Sequence, residues 1–167
     1  MFEKGSLLIY DAVGVCRVED IGIPSGIPVS DKEKQYYKLA PVFGSGTIYI
    51  PVDTKVFMRP VITREEADTL LAKIPEIRED ICETRNQKTL EDHYKASLQT
   101  QDCEDLVQLI KTVYLKRQNL EKTGKKTGKT DQQYMKRAQS LLHEELSVAL
   151  GISVEEVEAY ITRAVEG

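Results

Sequence analysis

Residues 46–75 read GTIYIPVDTKVFMRPVITREEADTLLAKIP, and within this stretch the hydrophobic period changes. On its N-terminal side, Thr47-Ile-Tyr-Ile-Pro51 and Lys55-Val-Phe-Met58 are short runs of β-branched and aromatic residues, the composition of half-buried strands. On its C-terminal side, Thr63-Arg-Glu-Glu66 has the spacing of a capping box, in which the Thr hydroxyl and the Glu carboxylate satisfy free N–H groups of a first helical turn. Ala67, Leu70, Leu71 and Ile74 then recur every three to four residues, and Pro75 stops the helix. The switch from period two to period 3.6 places a domain boundary near residues 59–63, with one domain over 1–60 and a second over 61–167.

Upstream of the switch the strand signals continue. Ser6-Leu-Leu-Ile-Tyr10, Gly14–Ile21 and Gln35-Tyr-Tyr-Lys-Leu-Ala40 are separated by turn sequences at Asp11–Gly14, Ile23–Pro28, Asp31-Lys32 and Gly44-Ser-Gly46. Five short strands in so few residues predict a small SH3-like or Tudor-like β-barrel, because closing a sheet removes its exposed edges. Downstream, Thr89-Leu-Glu-Asp92 opens a second helix through Leu98. Asp102 caps a third whose apolar face runs Leu106, Leu109, Ile110, Val113, Tyr114, Leu120. A fourth runs from Asp131 to Leu150, with Tyr134, Ala138, Leu141, Leu142 and Leu146 inward and Gly151 as its stop. Ser153-Val-Glu-Glu156 caps a fifth carrying Val154, Val157, Tyr160, Ile161 and Ala164. Strands followed by helices, segregated along the chain, define an α+β protein: a small barrel, then a compact helical domain of about five helices.

A chain of 167 residues with 41% apolar and 30% charged residues buries a real core without staples, which excludes fibrous and disordered classes. Apolar runs are short, so no membrane span is expected. The N-terminus enters strand-like sequence directly, without the pattern of a secretory signal, and the expected location is the cytoplasm. Cys16, Cys82 and Cys103 are odd in number and widely spaced, which argues against a disulfide framework or a zinc site.

The net charge of −4 conceals a segregation. Lys111 to Arg137 holds nine basic residues, Lys111, Lys116, Arg117, Lys122, Lys125, Lys126, Lys129, Lys136 and Arg137, against Glu121 and Asp131. Such a run suits a polyanion, since Lys and Arg release counterions on meeting phosphates; a solvated loop between helices is the alternative. Thr123-Gly-Lys-Lys-Thr-Gly-Lys-Thr130 imitates a nucleotide-cradling loop, but Thr123 stands where the first glycine belongs, and a helix precedes it instead of a strand. It serves better as a basic loop lying along a phosphate backbone.

Catalytic chemistry is poorly represented. His93 and His143 lie far apart, and His143-Glu-Glu145 lacks a second histidine one turn away, so it reads as a surface stretch of an amphipathic helix. Glu65-Glu66 and Glu155-Glu156 sit in first helical turns, where the helix dipole accounts for them. No enzymatic activity, metal or cofactor is expected. Pro51 cannot donate to a ladder, so its strand ends there or lies at an edge. An edge at Thr47, Ile48, Tyr49, Ile50 and Pro51 can accept a partner's strand; alternatively Ile48 and Ile50 simply face the core, with Tyr49 outside.

The opening Phe2-Glu-Lys-Gly-Ser-Leu-Leu-Ile-Tyr10 with Gly14-Val15, the strand Thr47-Ile-Tyr-Ile-Pro-Val52, His93-Tyr-Lys-Ala-Ser-Leu98 and Ala138-Gln-Ser-Leu-Leu-His-Glu-Glu-Leu146 follow one another as in the CarD/CdnL-type bacterial transcription regulators, which the chain resembles. The resemblance implies a Tudor-like barrel that binds the RNA polymerase β subunit, and a helical domain that touches promoter DNA near the upstream edge of the melted region and stabilises the open complex. It puts the polymerase contact at Thr47–Pro51, with Tyr49 where some relatives carry arginine. Leu90 stands where relatives place a tryptophan wedge, and an apolar wedge partly unstacks a base step. Asp92 and His93 occupy two positions that are basic in relatives, whereas Lys95 and Arg137 match basic ones. The nucleic-acid-binding set is therefore Leu90, His93, Lys95, Lys136 and Arg137 with the loop residues Lys122, Lys125, Lys126 and Lys129. The expected binding is weak and sequence-independent, through the minor groove and phosphate backbone, by a monomeric, nucleoid-associated protein. The alternative is a polymerase-associated protein–protein adaptor with weak or no DNA binding.

Overall fold

The computed structural model describes residues 2–11, 13–24 and 34–166. Part of the Ile23–Pro28 turn signal and the Asp31-Lys32 signal lie outside the described residues. Two compact units divide the chain, Met1–Val61 and Ile62–Gly167.

The first unit is an antiparallel sheet of β1 (Leu7–Tyr10), β2 (Gly14–Gly22), β3 (Tyr36–Pro41), β4 (Ile48–Pro51) and β5 (Met58–Pro60), in the order β4-β3-β2-β1-β5. Alternation drives one face inward. Leu8, Cys16, Val18, Tyr37, Leu39 and Ile50 form a buried cluster against which Phe2, Tyr10, Ile21, Ile48, Val52 and Met58 pack, so every strand contributes. A register shift between Val18 and Asp20 marks a bulge in β2, the device by which a strand bends and twists more strongly. The fifth strand begins later than the expected Lys55–Met58. Met58, Arg59 and Pro60 pair with Tyr10, Ile9 and Leu8, whereas Val56 and Phe57 stay outside the ladder with about two-fifths of their surface exposed. Proline is tolerated here because β5 is an outer strand.

The second unit consists of α1 (Arg64–Lys73), α2 (Gln87–Gln99), α3 (Cys103–Glu121), α4 (Lys129–Leu150) and α5 (Val154–Glu166), with a 3-10 turn at Ile74–Glu76 where Pro75 halts α1. The capping box forms as its spacing requires: Glu66 N donates to Thr63 Oγ1 and Thr63 N donates to Glu66 Oε1. Asp102 caps α3 and Ser153 Oγ accepts from Glu156 N at α5. Gly151 closes α4 in the left-handed conformation at φ 68°, where a side chain would be strained. Two expected starts move. Asn86 caps α2 by accepting from Thr89 N, so the helix opens before Thr89; α4 opens at Lys129, because Gln132 N reaches back to Gly128 O.

The helical core joins Ala67, Leu70, Ile74, Tyr94, Leu106, Ile110, Val113, Ala138, Leu142, Leu146, Val157 and Ile161. Tyr160 departs from the expected inward face and is 53% exposed. The opposite correction applies to His143-Glu-Glu145, which is no surface stretch: His143 is 5% and Glu145 1% exposed. Glu145 explains its burial by its partners, taking hydrogen bonds from Ile62 N at 3.0 Å and Cys103 Sγ at 3.3 Å. Lys111 leaves the basic surface for a similar reason, donating to Ile74 O at 2.8 Å and Ile77 O at 2.7 Å and so pinning the segment after α1.

Candidate functional site

In the sheet unit, β4 pairs with β3 on one side and ends the sheet on the other, so its outer backbone faces no strand among the described residues. Ile50 is buried and Ile48 packs on the core, while the strand that carries them is an edge. Thr47 is exposed just before the strand, and Pro51 ends it.

Tyr49 is half-buried on the outer face. There the register sets up a row, Asp20 opposite Lys38 and Lys38 opposite Tyr49, followed by a second row in which Tyr36 lies opposite both Gly22 and Pro51. Gly22 contributes no side chain to that second row, and a Cβ placed on it meets nothing within 4 Å. The gap becomes a hollow of about 190 Å³ walled by Asp20, Tyr36, Lys38, Tyr49 and the Ile23–Pro24 turn. The sequence reading missed this hollow; its one visible signal was a glycine in a strand, which marks a close approach or an open space.

In the helical unit, Gln87 Nε2 donates to Thr130 Oγ1, joining the N-terminal turns of α2 and α4. Beneath them, Asp131 accepts from the Tyr94 hydroxyl and, at 2.7 Å, from Lys116 Nζ, while the Tyr94 and Tyr134 rings lie 5.4 Å apart. Burial and the neighbouring Asp131 both hold the Tyr94 phenol above its ordinary range, so it stays a hydrogen-bond donor. These bonds fix the base of the 122–128 loop, and Gln132 Nε2 adds a bond to Thr127 O at 3.1 Å. Lys122, Lys125, Lys126, Lys129, Lys136 and Arg137 are all exposed. Lys129 and Lys136 are seven residues apart and share a face of α4. Gly128 at the N-cap gives no side-chain bond, and the acidic residue in the first turn of α4 is Asp131, placed where the helix dipole favours a carboxylate.

The remaining predicted residues do not join this end as one surface. Leu90 is half-buried and packs on the helical core, so it is not a free apolar tip. Lys95 is exposed about 140° further round α2. His93 Nε2 lies 3.1 Å from Asp80 O and 3.7 Å from Asp80 Oδ2, tying α2 to the segment that precedes it. Asp92 pairs with Lys88 at 3.3 Å. Burial holds the Glu144 carboxyl above its ordinary range, and Arg137 opposes that rise only in part.

Among the described residues no group of three His, Cys, Asp or Glu side chains is placed to hold a metal ion. Burial pushes the Cys16 thiol up to about 11, which keeps it protonated and unreactive near neutrality. No described helix is long and apolar enough to cross a membrane.

Among curated proteins none matches this chain. Residues 2–62 match the family model described as the CarD-like/TRCF RID domain, a domain type associated with RNA polymerase interaction. The match spans the sheet unit and ends where α1 is about to begin. The five antiparallel strands and the free edge at β4 lie inside this matched segment, so it is the N-terminal unit that is similar to CarD-like/TRCF RID domains.

Proposed function

We propose that this protein regulates transcription initiation by docking its sheet unit on the RNA polymerase β subunit and laying the basic end of its helical unit against promoter DNA, stabilising the open complex. The observation that carries the reading is the match of residues 2–62 to the CarD-like/TRCF RID domain with β4 at the sheet's edge. An edge strand offers main-chain donors and acceptors to a partner strand. Docking then raises the local concentration of the helical unit at the promoter, so a few phosphate contacts suffice. A bias of about 1.4 kcal/mol toward the melted state changes its population ratio tenfold. The phosphate contacts are assigned to Lys122, Lys125, Lys126, Lys129 and Lys136. Lys95 and Arg137 are assigned to flanking positions, and Leu90 and His93 to shaping α2.

The packing of Leu90 and the Lys88–Asp92 pair favour a second reading, a polymerase-bound adaptor without DNA affinity. One titration separates the two. The full chain is titrated with promoter DNA at two salt concentrations, alone and with polymerase. The regulator binds more weakly at high salt, and Lys125→Gln with Lys126→Gln lowers the logarithmic salt slope by about 2. An adaptor binds polymerase but shows no DNA affinity for salt to alter.

A further inference from the structure

We propose that the end of the sheet unit where β1 turns into β2 is a self-association surface, covered by the same end of a second copy of this chain. The inference is independent of the polymerase-docking reading. Of the seven large apolar side chains left exposed among the described residues, five come from three connections of this unit: Val13, Val42, Phe43, Val56 and Phe57, each 36–42% exposed. The ladder brings those connections to one end. Tyr10 lies opposite Gly14 and Met58, and Pro41 lies opposite Cys16, so the β1–β2 turn, the exit of β3 and the entry to β5 stand side by side. Backbone bonds hold them there, Asp11 N donating to Phe57 O at 2.9 Å and Val42 N to Val15 O at 3.0 Å. Phe43 follows β3 and Phe57 precedes β5, strands three spacings apart in the sheet, or about 14 Å, and Val13 enters β2 between them.

Charge and area select the occupant. A two-fold interface sets a surface against itself, so it survives only where that surface's own charges cancel. The sheet unit meets this condition: residues 1–60 carry seven basic and seven acidic side chains, whereas residues 61–167 carry sixteen and twenty. The three connections repeat the balance locally. Asp53 pairs with Lys34 at 3.3 Å, which leaves Asp11 and Lys55, one of each sign and both exposed, beside the apolar side chains. A patch of this make-up measures on the order of 400 Å², the size at which exposed apolar surface is often functional. Two of them with their rims bury about 1,000 Å², the low end for a specific complex. The result is a weak dimer that forms as concentration rises, with a dissociation constant on the order of 100 μM.

Sedimentation of the full chain from about 5 to 500 μM tests this, a range that brackets the expected constant. The mass is expected to rise from 18.9 kDa toward twice that value, and more steeply in sodium sulfate, which strengthens apolar burial. Phe43→Ser with Phe57→Ser is expected to keep the wild-type melting temperature, since both rings are exposed, and to weaken the dimer by roughly tenfold or more. If that double variant melts early, Phe43→Glu alone carries the test, because a two-fold axis sets the two new charges on one interface. A wild-type chain that stays monomeric throughout overturns the inference. So does a dimer that sulfate dissolves, because charge and not this apolar end then holds it. Full dimerisation in the folded variants overturns it as well. A monomeric wild type whose variants lose affinity for RNA polymerase assigns the same end to polymerase and removes the second copy as its occupant.

Discussion

The sheet unit and the helical unit bury different chemistry. The described buried positions of the sheet, from Leu8 to Ile50, include no charged residue, whereas the helical unit closes over Lys111, Asp131, His143 and Glu145. The difference follows from where each architecture leaves its backbone groups. Ladders satisfy a sheet's N–H and C=O groups internally, and what remains unpaired lies on the edge. Helices leave groups free at every end and in every connection, and these are met here by buried side chains: Lys111 on the carbonyls after α1, Glu145 on the Ile62 amide. The same contrast appears in function, since the sheet offers its backbone edge and the helices offer lysines around an anchored loop.

If this contrast is right, charge deletions unfold one unit and cavities the other. The largest expected effect is at Asp131. Asp131→Leu strands the Lys116 ammonium and the Tyr94 hydroxyl and costs about 3–5 kcal/mol, read by hydrogen exchange as lost protection in α2–α4 with the strands unchanged. Leu8→Ala opens a cavity at a fully buried position of the sheet and costs about 3 kcal/mol, with lost protection confined to β1–β3. Equal losses in both units from either variant would break the comparison.

A third measurement sharpens it through pH. Burial holds the His143 imidazole below its ordinary 6.5, outweighing the opposing pull of Glu158. Below pH 6.5 the unfolded chain binds that proton and the folded unit does not, so stability present at neutral pH falls on acidification. The slope contributed by this group is at most about 1.4 kcal/mol per pH unit. Denaturant unfolding of His143→Gln at pH about 5.5 and 7.5 should show a flatter dependence than wild type, with the sheet indifferent. The smallest effect is Thr63→Ala, which removes the capping box and costs about 1 kcal/mol of helical-unit stability, measured by the same unfolding curves.

How far the sequence foretold these features depended on whether the signal was local. The Thr63 box, the Asp102 cap and the Gly151 stop were legible because each concerns residues within one turn. The start of α2 was misplaced by a rival local signal, since Asn86 caps by bonding the Thr89 amide. The basic run was read as one surface, but Lys111 and Lys116 find partners at Ile74, Ile77 and Asp131, 15 or more residues away in sequence. Leu90 was given a wedge role by the resemblance alone, and its burial is a property of the helices beside it. The hollow at Gly22 escaped notice because it belongs to three strands at once.

The order of amino acids alone determined that strands give way to helices near Pro60, which caps open the first and third helices, and that positive charge concentrates before Arg137, because periodicity and capping act over a few bonds. Tertiary structure decided which charges stay at the surface, which strand is left as an edge, and where the sheet is hollow. Those outcomes depend on which distant groups meet, and a buried charge or an empty space is defined by its neighbours in space.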